Sequence, residues 1–457
     1  MKVIRQRSGV EKMDLAAELP KWKTMIELIQ LGTSGLMREE RKCLDLAPRT
    51  ITLQLVTTTR NKHGNRGIFR SVIIGKTREE GWSEGEMLTV ETNIGMFFAT
   101  ILISRFADTN QIIEMVMDLE SDDLPEGEAT ATLLEPSQDP SHRCVQRGVV
   151  IGTGRGEEIL KTIYDCVNER PDTPHKQGYA IANLAGVEWD REQHEFIVLS
   201  ASLHNIRVYL DAGPGCGKTF VLGESVHQTV INNPDVLVIV LAITNTAVGV
   251  VAEKIQKKAN TSKTRVLRVI FRHDEESTEA DLSRIITRSA DRELKKSARP
   301  LRQLMKSMNA IRDENPDPSK RDSSQKLKLN DMDGVFRCIT KNNLERVIKV
   351  ERPNVLCMTI DTLLKAMNDN EDKKRTFGKP KKNALTEFIK SKKKIVLFAD
   401  EASQIPESSL LALTEALPNA CQRYCGDPRQ LPPFCRLNEP HFNVNFGAYS
   451  VASPGEE

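Results

Sequence analysis

The sequence predicts an α/β protein: a doubly wound parallel sheet, preceded by a small β-barrel and carrying a helical insertion. Three observations predict it. In the second half of the chain, short apolar runs rich in β-branched residues alternate with segments of helical period, the pattern of parallel strands joined by crossover helices. Residues 49–150 carry closely spaced β-branched runs broken by Gly, Asn and Asp, as a small antiparallel barrel or meander does. Between two of the later runs, at about 272–350, lies mixed-charge sequence of helical period that is too long for a loop.

The elements follow in order. Residues 1–48 alternate charged and apolar positions at helical spacing, as in "KWKTMIELIQL", and form an amphipathic helical segment. The barrel strands are "ITLQLVTTT", "FRSVIIG", "EMLTVETN", "GMFFATILIS" and "QIIEMVMDL"; the acidic, proline-bearing stretch "LESDDLPEGEATATLLEPSQDPSHR" then reads as a loop or linker. From 151 onward, helical "EEILKTIYDCV" leads to six strands: "RVYL", "VLVIVLAIT", "TRVLRVIF", "NVLCMTI", "KIVLFADE" and "RYCGD". Inside the insertion, "DENPDPSKRDSSQK" reads as a polar middle open to disorder.

With 457 residues the chain is long enough for two or three domains. It holds no apolar run of membrane-spanning length, and its charged N-terminus lacks the core of a secretory signal, so the expected location is intracellular, cytoplasmic or nuclear, with no membrane partner. Nine cysteines without framework spacing fit reduced thiols, and the Cys421/Cys425 pair lacks the second pair a zinc site needs. A net charge of +2 hides an asymmetry: residues 251–399 hold 36 Lys/Arg against 21 Asp/Glu, so one region is suited to an anionic partner.

The chemistry begins at "DAGPGCGKTF", residues 211–220, which follows the strand "RVYL" directly and opens a helix. That context suits a phosphate-binding loop over Gly213, Pro214, Gly215, Cys216 and Gly217, whose backbone N–H groups, those of every residue but Pro214, would cradle phosphate oxygens with the helix N-terminus. Lys218 would reach the β- and γ-phosphates, and the Thr219 hydroxyl would hold Mg²⁺. The pattern wants a glycine where Ala212 stands, a mild change because Gly213 and Gly215 still supply backbone freedom. A second site supports the first: in "IVLFADEASQ" an apolar strand delivers Asp400 and Glu401 at its carboxyl end, where ligands of open parallel sheets bind. Asp400 would hold Mg²⁺ through water, and Glu401 would orient and deprotonate the attacking water.

"AGPGCGKT", "DEASQ" and "GDPRQLPP", in this order, resemble motifs I, II and III of superfamily 1 helicases, and "DEASQIPE" is similar to the nonsense-mediated-decay and senataxin-like branch. A generic P-loop ATPase has no reason to carry the third motif. The resemblance implies a RecA-like ATP-binding domain over 151–457, with ATP and Mg²⁺ as cofactors. "WDREQHEFI" resembles the upstream glutamine motif, in which Gln193 would read adenine. Gln404 and Gln430 would sense the γ-phosphate, and Asp427 would transmit that state. "LAITNTAVGVVAEKI" resembles motif Ia, where Thr244 and Asn245 would contact the backbone of a single strand, with Thr359 of "VLCMTIDTLL" in a similar role. The implied partner is single-stranded RNA or DNA, with RNA preferred on the branch alone, together with protein partners in RNA metabolism and 5′–3′ movement. Movement in that family needs a second RecA-like domain, whereas this chain ends just beyond the third motif. The expectation is therefore ATP binding that outstrips turnover. The alternative is a nucleotide-gated scaffold that binds nucleic acid or protein without helicase activity.

Overall fold

The computed structural model describes residues 21–43, 46–61, 64–74, 81–107, 110–119, 124–134, 160, 189–259, 264–271, 273, 278–372, 383–427 and 429. An N-terminal helix, α1 (Lys21–Cys43), buries Ile26 and Leu36 from one face. The chain forms two compact units. One comprises residues 38–138 and 302–337, the other residues 1–37, 139–301 and 338–457. No helix among the described residues is long and apolar enough to cross a membrane.

The smaller unit is a closed antiparallel barrel of β1 (Arg49–Asn61), β2 (Gly64–Ile74), β3 (Met87–Thr92), β4 (Gly95–Ala107), β5 (Asn110–Leu119) and β6 (Gly127–Leu133), in the order β1-β2-β5-β4-β3-β6. Alternate residues such as Ile51, Leu53, Leu88, Val90, Ile113, Met115 and Met117 fill its interior around Trp82. Buried Gln111 ties Trp82 in place: its Nε2 donates to Trp82 O and to Ser104 Oγ, and its Oε1 accepts from Trp82 N–H.

Strand β6 corrects the reading of "LESDDLPEGEATATLLEPSQDPSHR" as a loop. Its segment "GEATATL" pairs with both β1 and β3 and closes the barrel, with Ala129, Ala131 and Leu133 inward. Small residues suffice there because partners on both sides satisfy the backbone, so the strand needs no large apolar alternation of its own.

The larger unit contains a six-stranded parallel sheet of β7 (Arg207–Asp211), β8 (Leu237–Ala242), β9 (Val266–Arg268), β10 (Val355–Thr359), β11 (Ile395–Ala399) and β12 (Cys421–Gly426), ordered β7-β12-β11-β8-β10-β9. All six strands follow the sequence expectation. The uninterrupted apolar run of β8 suits a strand covered on both faces, and each of its residues is buried. The helices are α2 (Arg191–Ala201), α3 (Lys218–Asn232), α4 (Asn245–Ala259), α5 (Leu282–Arg288), α6 (Arg292–Glu314), α7 (Ser323–Glu351), α8 (Ile360–Asp372), α9 (Ala384–Lys390) and α10 (Glu407–Ala416). Cys421 and Cys425 are buried on β12 and form no disulfide, and among the described residues no cluster of three or more metal-ligating side chains occurs.

The insertion is divided between the units, since 302–337, the distal parts of α6 and α7, groups with the barrel. A bulge in β4 between Ile101 and Ile103 changes which face the following residues take, and Leu102 and Ile103 pack with Ile68 and Leu327 of α7 outside the main barrel core. Arg66 bridges Asp118 and Asp331, and Lys326 pairs with Glu84. The polar middle of the insertion is an ordered turn, contrary to the expectation of disorder. Arg321, buried, donates through Nε to Asn315 O, and Asp317 accepts from Ser319 N–H to cap a 3₁₀ turn at Pro318–Lys320.

Candidate nucleotide site

Strand order assembles the site. Strand β12 lies between β7 and β11, so three segments far apart in sequence end side by side at the carboxyl edge of the sheet. These are the glycine-rich loop after β7, Asp400 and Glu401 after β11, and Asp427 and Arg429 after β12. At Gly426 the backbone passes close to the turn after β11: a Cβ there would lie 2.9 Å from Ser403 N and 3.0 Å from Ala402 N.

The loop's first residue, Ala212, donates its N–H to Gly426 O at 3.0 Å and packs half-buried against the sheet core. Among the described residues only Arg352 and Glu401 are non-glycine residues with positive φ, so Ala212 needs no left-handed backbone and a methyl group is accommodated. The left-handed positions fall on Gly215 (φ 75°) and Gly217 (φ 72°) instead. Gly217 begins α3 without a side-chain cap, which leaves the first-turn N–H groups of that helix open to an anion. The Cys216 N–H is turned inward, donating to Gly213 O at 3.4 Å. Lys218 Nζ donates to Ala212 O at 3.0 Å and to Gly213 O at 2.9 Å, which holds the ammonium over the mouth of the loop.

Across from Lys218, the Thr219 hydroxyl donates to Asp400 Oδ2 at 3.4 Å, so the two oxygen groups expected to hold Mg²⁺ meet. Asp400 is 4% exposed, and its Oδ1 accepts from Glu401 N–H at 3.0 Å. Burial raises its carboxyl to a pKa of about 6, against the hydrogen bonds from Glu401 N–H and Thr219. Glu401 takes the left-handed conformation, φ 51° and ψ 46°, which aims its side chain out of the strand direction. Its Oε2 accepts from Gln404 Nε2 at 2.8 Å, so Gln404 orients Glu401. Gln193 joins α2 to the loop: its Nε2 donates to Cys216 O at 3.0 Å, and its Oε1 and N–H complete a capping box with Asp190. Its polar atoms are thus engaged in holding the rim of the loop. Gln430 lies outside the described residues.

Thr244 and Asn245 stand exposed where β8 passes into α4, farther along the same sheet edge. Thr244 Oγ1 accepts from Ala247 N–H, and Asn245 O accepts from Arg268 Nη2 at 2.7 Å. Arg268, fully buried, pairs in turn with buried Asp281. Thr359 differs from these two in its burial. It is 7% exposed, and its hydroxyl accepts from Thr362 N–H at the start of α8, as the Thr244 hydroxyl does at the start of α4.

One residue of the site, Arg429, carries no role in the sequence reading. Arg429 donates to Asp427 Oδ1 through both its N–H and Nε, each at 3.0 Å, and its Nη2 lies 3.9 Å from Asp211 Oδ1. Burial acts to raise the Asp427 carboxyl, but these hydrogen bonds outweigh it and hold it below the usual carboxylate range. Arg429 occupies a variable position of "GDPRQLPP", and only the adjacency of β7 and β12 reveals its place at the loop.

With this geometry in view, residues 194–436 match a protein-family model described as an AAA domain, a span that starts one residue after Gln193 and contains the loop, Asp400, Glu401 and Arg429. No curated protein matches the chain.

Proposed function

This chain belongs to the AAA domain family, whose members are P-loop NTPases, and from that premise we propose that it is a superfamily 1 helicase-like ATPase that binds single-stranded nucleic acid, RNA in preference to DNA. The observation that carries the nucleotide half of this reading is the meeting of Thr219 and Asp400 at 3.4 Å beside Lys218, with Glu401 at the next position. An all-oxygen pair of this kind fits Mg²⁺, a hard cation that keeps most of its waters and takes few protein ligands. Bound there, Mg²⁺ would neutralise charge on the phosphate oxygens. Lys218 binds the β- and γ-phosphates, the open N-terminus of α3 receives phosphate oxygens, and Glu401, oriented by Gln404, takes the proton of the attacking water. Gln193 sets the position of the loop rim where adenine would lie.

The nucleic-acid half rests on the exposed Thr244 and Asn245 along the same sheet edge, and on the excess of Lys/Arg over residues 251–399. Contacts of this type address the phosphodiester backbone, are independent of sequence and weaken with salt. Translocation in the 5′–3′ direction and unwinding require a second motor domain to complete the γ-phosphate contacts, and the RecA-like assignment of the sheet belongs to the same reading. Partners in RNA metabolism follow from it.

ATP turnover with and without single-stranded RNA tests the proposal. Stimulated turnover that is lost in Lys218→Ala and in Glu401→Gln supports it. ATP binding with turnover equal to that of these variants would leave a nucleotide-gated scaffold. Thr244→Ala combined with Asn245→Ala weakens strand binding and spares ATP binding, and Lys218→Ala does the reverse; a double variant that binds RNA as the parent does removes the strand contact from the reading.

A further inference from the structure

We propose that Arg429 is a phosphate-binding residue of this site, a cation supplied within the same domain that contacts the terminal phosphate of the bound nucleoside triphosphate. The inference rests on the reading that the loop holds ATP, and goes beyond it by giving a role to a residue that the motif pattern leaves open.

The geometry converges on Gly213. Lys218 Nζ donates to Gly213 O at 2.9 Å, and a Cβ built on Gly213 would lie 3.5 Å from Arg429 Nη2. Two cations from different elements therefore flank one residue at the entrance of the loop. A methyl group on Gly213 would stand in ordinary van der Waals contact with the guanidinium, so the two are immediate neighbours.

The guanidinium is prepared for this role by its anchor. Asp427 is 1% exposed, and its Oδ1 accepts from both the backbone N–H and Nε of Arg429. That pairing engages Nε and leaves the terminal nitrogen Nη2 beside the loop. Asp211 holds it there only loosely, at 3.9 Å, and the Arg429 side chain is 72% exposed. A weak, solvent-exposed ion pair is readily exchanged for a phosphate oxygen, which a planar guanidinium binds well. Asp427 Oδ2 is buried without a hydrogen-bond partner. A carboxylate kept buried and half satisfied serves its Arg429 anchor at a cost to folding, as expected of a positioning residue.

The contact is specific for the terminal phosphate, so it separates the triphosphate from the diphosphate. The experiment is titration of ATP and of ADP, each with Mg²⁺, into the full chain and its Arg429→Ala and Arg429→Lys variants, with thermal denaturation to confirm folding. Because Arg429 is exposed, the variants are expected to fold. The expected result is a loss of about tenfold in ATP affinity for Arg429→Ala with ADP affinity unchanged, and a partial recovery in Arg429→Lys. Asp427→Asn, which keeps the side-chain shape but weakens the anchor, shifts the ATP-to-ADP preference in the same direction by a smaller factor. Equal losses for both nucleotides, or none, overturn the proposal and leave Arg429 a surface ion-pair partner. If the unmodified chain binds neither nucleotide, the reading of the loop itself fails and the inference falls with it.

Discussion

Replacing Asp400 by Asn stabilises the protein in metal-free solution at neutral pH, and the gain shrinks as the solution is acidified. Asp400 is a buried carboxylate with no basic side chain hydrogen-bonded to it; its neighbours are the Thr219 hydroxyl, the Glu401 N–H and the Glu401 carboxylate. Lys218, the nearest cation of the loop, is engaged with the carbonyls of Ala212 and Gly213. Burial raises the carboxyl from 3.8 to about 6. At about 1.4 kcal/mol per unit, the folded protein bears a cost of about 3 kcal/mol for this charge once it is ionised. The sign follows from the folded value lying above the unfolded one: the protonated group's contribution is complete below pH 3.8 and is lost as the pH rises through 6. Asparagine does not titrate. The variant is therefore more stable by about 3 kcal/mol at pH 8, by roughly half that at pH 5, and by little at pH 4. At about 2–4 °C per kcal/mol, the rise in Tm at pH 8 is about 6–12 °C. Thermal denaturation of both proteins in EDTA across this pH range measures it. A gain that does not change with pH, or no gain at pH 8, refutes the electrostatic account of Asp400. In Mg²⁺ and ATP the order reverses, because only the parent is then stabilised by ligand.

Three further outcomes follow from local geometry. Glu401→Gly relieves a left-handed backbone that costs a residue with a Cβ about 1 kcal/mol, so its Tm rises in denaturation scans while ATP turnover disappears; an unchanged or lower Tm argues against strain at this turn. Gly426→Ala drives a methyl group into the backbone at Ala402 and Ser403, lowering stability by about 1–3 kcal/mol and weakening nucleotide binding, both measurable in one calorimetric series. Gln111→Leu leaves the buried Trp82 N–H without its side-chain partner, while Trp82 C=O keeps the Ser104 hydroxyl, and costs about 2 kcal/mol in urea denaturation, with ATP affinity unchanged.

Much of the fold was legible because the parallel sheet writes its strands plainly. A strand covered on both faces must be apolar throughout, and "VLVIVLA" and "IVLFA" admit little else. Barrel strand β6 was hidden for the opposite reason: alanine and threonine carry little apolar signal, and only pairing with β1 and β3 makes them a strand. The turn at 315–322 was likewise hidden, since its order comes from buried Arg321 reaching back to the Asn315 carbonyl, while its composition reads as polar loop. Within the site, local chemistry singled out Lys218, Thr219, Asp400 and Glu401 as candidates, and the fold brings them together. Local chemistry did not identify the use of the Thr359 hydroxyl as a helix cap, which depends on how α8 leaves its strand.

By itself, the sequence determined the loop, the acidic strand end and the order in which they occur, because backbone freedom at glycine and apolar runs ending in carboxylates are local properties. Tertiary structure alone decided which of these ends stand side by side. Strand order is set by how crossover connections pack helices on a twisted sheet, and no residue encodes it locally. By laying β12 between β7 and β11, the fold brought Asp427 and Arg429 to the loop, found a harmless place for the Ala212 methyl, and buried Asp400 deeply enough to change its acidity.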